Sequence, residues 1–137
     1  MRTSRRRRQQ GLIREALYIF LAIALVMAVL LDGLAVFTAQ QGAREDASEA
    51  GKKAKEEYAQ SSSVDRASKA AEQRAQRNGG EMTDFSSSAG SGAASRSFTV
   101  TVRRSADTYL FRYLEYIPGL DDWAKDISNP TITRTTL

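Results

Sequence analysis

The sequence predicts an α+β protein. A single N-terminal transmembrane helix continues into an amphipathic helical neck, followed by a small C-terminal region of two or three strands and a short helix. Three observations predict this. Residues 16–31 form an apolar run without a charge or a helix breaker, an alanine stripe at helical spacing follows, and strict polar–apolar alternation begins only at Phe98. In boundaries, the expectation is a basic tail over 1–15, a transmembrane helix over 16–39, an alanine-rich neck over 40–79, a flexible linker over 80–97 and an α+β region over 98–137.

As a helix, residues 16–31 reach roughly 24 Å, somewhat short of a hydrocarbon core of about 30 Å. Past Asp32-Gly33 the apolar character resumes, and residues 16–39 reach roughly 36 Å, enough to span with tilt. Arg2, Arg5, Arg6, Arg7, Arg8 and Arg14 precede the run, offset only by Glu15. The positive-inside bias therefore places the amino terminus in the cytoplasm and residues 40–137 outside the cell membrane. Six of the twenty basic residues lie in this tail, and the remaining fourteen are balanced by fourteen acids from Glu45 onward. The high pI thus belongs to the anchor. Arg5, Arg6, Arg7 and Arg8 read as a topology signal against anionic lipid rather than a nucleic-acid patch, because no aromatic platform accompanies them. A cleaved secretory signal is the alternative to an anchor, with Gly33-Leu34-Ala35 offering small residues at the positions a signal peptidase reads.

The chain has no cysteine and no histidine. This removes disulfides, the commonest zinc ligands and the usual general base. The serines stand in polar runs without an activating partner, the pairs Glu56-Glu57 and Asp121-Asp122 read as solvated surface, and no glycine-rich phosphate loop occurs. No enzymatic activity, metal or cofactor is expected.

Between residues 40 and 77, strong helix formers dominate. Ala43, Ala47, Ala50, Ala54 and Tyr58 draw one stripe, with Gly42 and Gly51 as soft points in a helix expected to run unbroken from the membrane to residue 60. The stripe suits close packing against helices of an assembly; a solvated stalk is the alternative. Ser62 with Asp65 forms a candidate capping box for a second stretch striped by Val64, Ala67, Ala71 and Ala75, which Asn78-Gly79-Gly80 ends.

Residues 83–97 are small and polar and read as linker. Phe98, Val100 and Val102 then fall on one face of a strand. Asp107 is placed to cap a short helix carrying Leu110, Leu114 and Ile117, which Pro118-Gly119 stops; residues 120–127 read as a turn-like segment, and 131–137 as a terminal strand. So small a region needs its large residues for a core. Phe98, Tyr109, Phe111, Tyr113, Tyr116 and Trp123 are accordingly expected inside, with a binding face as the alternative. Asp32 is the sharpest single residue, since a carboxylate at mid-bilayer costs roughly 2.5–3.5 kcal/mol. Either it lies near the outer interface, or it makes a polar contact with a neighbouring subunit's helix.

Gly11, Glu15-Ala16-Leu17, Asp32-Gly33 and Ala43-Arg44-Glu45-Asp46-Ala47, with the late strand and the ending Ile127-Ser128 to Arg134, resemble the TadE-like minor pilins of tight-adherence (Flp-type) pilus systems. The family usually carries a proline in the apolar run, absent here, and a glutamate five residues after the processing glycine, where Glu15 stands fourth. The resemblance implies a pilin-like or accessory subunit of a surface pilus or secretion assembly. It also implies possible processing after Gly11, and Glu15 and Asp32 as polar groups serving assembly. The implied partners are membrane lipid, other pilin-like subunits or the assembly machinery, and further copies of the chain. A secreted or tethered binding module, or a scaffold recruiting partners through the neck, remains the alternative.

Overall fold

The computed structural model describes residues 3–89 and 96–136, with side chains from residue 13 onward. Helix α1, Thr3–Ser61, is continuous from the basic tail through the apolar run into the alanine-rich stretch, as the composition predicts. Ser62 turns the chain with φ 53°, and α2, Val64–Arg77, folds back along α1. Its N-cap is Ser63, whose hydroxyl accepts from Arg66 N at 3.4 Å, so the cap falls one residue after the expected Ser62. At the other end Gly79, at φ +87°, takes the left-handed conformation that closes the helix.

The expected neck over 40–79 is therefore an antiparallel helical hairpin, with Glu49 of α1 meeting Arg74 of α2 at 2.7 Å. Ala47, Ala50 and Ala54 face Ala67, Ala71 and Ala75, all fully buried. Small side chains here let the two helices and the sheet approach closely, so the stripe forms one wall of the chain's own core.

Three antiparallel strands cover the hairpin in the order β1 (Glu81–Ala89), β2 (Arg96–Arg103), β3 (Thr131–Thr136). The linker expected over 80–97 is thus corrected: 81–89 form a strand paired with β2, and 90–95 lie outside the described residues. The signal was hidden by a bulge between Met82 and Asp84. It lets Met82 and Phe85, three residues apart, both pack on the core, which breaks the period of two. In β2 the alternation holds, and Phe98, Val100 and Val102 are fully buried. Phe98 is the hub, with Tyr58 edge-on at 5.4 Å and Phe85 stacked at 5.8 Å. The opposite face carries paired hydroxyls, Thr99–Thr135 and Thr101–Thr133, each 2.9 Å apart.

Between β2 and β3 the chain makes a long excursion containing α3 (Phe111–Leu114) and α4 (Asp121–Ser128). The segment expected to be turn-like is thus a two-turn helix, with Asp121 and Asp122 in its first turn where the helix dipole favours them. The two limbs of the excursion are joined by Arg104 N to Pro130 O (3.1 Å) and Ala106 N to Ser128 O (2.8 Å).

Candidate functional site: Asp32 and the aromatic lobe

Asp32 begins the buried stripe of α1. It is fully buried, and seven and eleven residues on the same face bring Ala39 and Ala43. Its carboxylate accepts three backbone N–H groups from the excursion: Tyr109 N at 2.6 Å on Oδ1, and Leu110 N at 2.6 Å and Phe111 N at 2.8 Å on Oδ2. These are the donors that open α3. The expected cap, Asp107, does not serve; the residue at the cap position, Leu110, makes no side-chain bond, and a carboxylate nearly eighty residues upstream takes the role. Charge-assisted bonds of this kind are roughly twice as strong as neutral ones. Within the chain, Asp32 therefore already has its polar partners.

The bond to Asp32 fixes where the excursion lies. Arg104, at its root, sits over Gly42 and bonds Asp46; the limb 104–107 runs beside Leu34, Ala35, Thr38 and Ala39; Tyr109 to Phe111 reach Asp32. The excursion thus descends along α1, from the packed half to the start of the bare apolar half, over roughly 15–20 Å. Its aromatic residues were expected in a core. Instead Tyr109, Tyr113 and Tyr116 are 73%, 71% and 80% exposed and Trp123 is 50% exposed. Only Phe98 belongs to the core, and Phe111, half-buried, pairs edge-on with Trp123 at 5.8 Å. The core is closed by alanines and β2, which leaves the later aromatics outside.

At the root of the excursion, Asp46 is buried and pairs with Arg104 at 3.2 Å. Burial pushes its carboxyl above the usual aspartate range, against the lowering pull of Arg104 and Asn78. One turn on, half-buried Glu49 is held below its ordinary value by the Asn78 amide, which donates at 2.8 Å, and by Arg74. The pair tethers β2 to α1, and Glu49 tethers α2 to it.

Of the residues singled out from sequence, Ala43, Ala47, Ala50 and Ala54 are all fully buried, under the chain's own second helix and sheet, so they are not free surface for another protein. Glu15 is exposed on the bare half of α1, about 25 Å along the helix from Asp32, and the two are not brought together. Gly11 and Arg5 to Arg8 lie in the backbone of α1, their side chains outside the described residues. Sequence reasoning missed the partnership of Asp32 with Tyr109 to Phe111 and that of Asp46 with Arg104. The first had a signal, since Asp32 stands in register with Ala39 and Ala43. The second had none beyond a charge on an alanine-striped face. Among the described residues no group of acidic side chains is gathered to hold a metal, and one helix is long and apolar enough to cross a membrane. Comparison with protein-family models, curated proteins and solved structures finds no match.

Proposed function

We propose that the chain is a non-catalytic, single-pass membrane protein whose amino terminus is cytoplasmic and whose α+β domain lies outside, and that it acts as a pilin-like or accessory subunit of a surface pilus or secretion assembly. The observation that carries this reading is the division of α1. From Ile13 to Leu31 its large apolar side chains are exposed on every side, none less than 44%; from Asp32 on, one face is sealed by the rest of the chain. Such a bare apolar helix needs lipid, or the same helix of neighbouring subunits, around it. The arginine tail supplies the orientation. Glu15, exposed on that bare half, is the polar group available for register between packed helices. A tethered binding module is the second reading, favoured by the exposed aromatic lobe.

The test uses the absence of native cysteine. Single cysteines at Leu21 or Leu25 in otherwise unaltered protein should crosslink subunit to subunit in sheared surface filaments. Crosslinks absent there, with monomer retained in the membrane, point to the tethered module and against the assembly. The mature amino terminus decides the processing question: Leu12 indicates prepilin-type cleavage, Val36 a secreted product, and an intact tail an anchor.

A further inference from the structure

We infer that the excursion 105–129 is a second membrane contact, seated in the headgroup layer of the leaflet from which α1 emerges. This rests on the membrane-anchored part of the proposed function and not on its pilus part.

Height along α1 sets the depth of the lobe. If the hydrocarbon begins near Glu15, a residue seventeen positions on stands about 25 Å across it, just inside the far boundary of a core about 30 Å thick. That residue is Asp32, and three bonds of 2.6–2.8 Å hold Tyr109, Leu110 and Phe111 at its level. The lobe cannot stand clear of the bilayer while those bonds exist. Its composition suits the depth. Tyr109, Tyr113, Tyr116 and Trp123 are exposed beside exposed Ile117 and Leu120, and aromatic rings with one polar end are enriched where hydrocarbon meets headgroup. Leu31 and Leu34, flanking Asp32 on α1, are exposed as well.

Charge selects the kind of surface. The lobe carries Asp107, Glu115, Asp121, Asp122 and Asp126 against only Arg112 and Lys125. An acidic lobe gains nothing from anionic headgroups, so the contact is made by ring and aliphatic insertion into zwitterionic lipid and is insensitive to salt. The carboxylate of Asp32 then has a positioning role. It satisfies the first-turn donors of α3, which would otherwise be unpaired near hydrocarbon, and sets the depth of the lobe.

Trp123 is the only tryptophan and reports directly. The full chain is reconstituted into phosphatidylcholine vesicles whose acyl chains carry bromine near the headgroup. Insertion of α1 is established by flotation and by resistance to carbonate extraction. The expected result is Trp123 fluorescence lowered about two-fold against unbrominated vesicles, weak quenching by aqueous iodide, and no change in high salt. A Tyr116→Cys variant bearing an environment-sensitive dye should shift in the same direction. Trp123 open to iodide and untouched by bromine, in vesicles holding an inserted α1, overturns the lobe's contact and leaves the anchor standing. Shielding from both quenchers means that protein covers the lobe, and also overturns it. Failure to float removes the anchor and the lobe's contact together.

Discussion

Asp32 shows how a carboxylate is tolerated late in an apolar helix. Its two oxygens accept three backbone donors. Asp32→Asn supplies one acceptor and turns an amide donor toward other donors, leaving the first turn of α3 partly unpaired. Loss of such a cap should cost about 2–3 kcal/mol locally, so the amides of Tyr109, Leu110 and Phe111 should exchange about 30- to 150-fold faster, with Val100 and Val102 unchanged. Asp46 tests the opposite balance. Its carboxyl titrates above the ordinary value because of burial, so the native state binds this proton more tightly than the unfolded chain. Its contribution to stability is therefore greatest below the ordinary aspartate value, near pH 4, and declines as pH rises through the raised one. Asp46→Asn should be at least as stable as the parent at pH 7 in urea titrations, with the difference closing below about pH 4. Arg104→Met keeps the aliphatic stem but strands the buried charge. It should cost about 1–3 kcal/mol at pH 7 and less in acid.

At the scale of elements, the glycines of α1 have uses that helix propensity alone does not indicate. A Cβ at Gly42 would collide with the Arg104 guanidinium, and one at Gly51 with the Thr136 hydroxyl; these are crossings of α1 by the sheet rather than soft points. Gly80, after α2, is crowded by buried groups that have no room to move, since a Cβ there would lie 2.7 Å from Val102 Cγ1 and 2.8 Å from Asp46 Oδ2. Gly80→Ala should therefore lower stability by about 1–3 kcal/mol in thermal or chemical denaturation, the usual cost of overpacking a buried site. The elements legible in the sequence were those with one clean period. These were α1 from its composition, α2 from Ala67, Ala71 and Ala75, β2 from Phe98, Val100 and Val102, and β3 from its threonines. Illegible elements had a local interruption or a distant partner. The bulge at Met82–Asp84 broke the alternation of β1, and α4 is too short for a period to stand out. Neither Asp107 nor any nearby residue announces that α3 is capped from α1.

The whole molecule consists of two packed units on one helix. The first is the hairpin and sheet, closed by alanines and Phe98; the second is the aromatic lobe. The core expected among the later aromatics is absent because the alanines, Phe98, Val100 and Val102 already close the interior, which leaves Tyr109, Tyr113, Tyr116 and Trp123 outside. The Arg104–Asp46 pair at the root and the Asp32 clamp join the units, while two backbone bonds hold the limbs of the excursion to each other. Their separability gives a test that needs no lipid. A fragment of residues 28–137 retains Asp32 inside the helix, whereas 36–137 lacks it. Both should keep the far-ultraviolet dichroism and cooperative melting of the hairpin and sheet, because every residue of that core lies beyond position 46. Only the longer fragment should keep the near-ultraviolet signal of Trp123 against Phe111 and slow exchange at Tyr109 to Phe111. An equal signal in the shorter fragment means that the lobe holds its own shape, and that Asp32 sets its position without setting its fold.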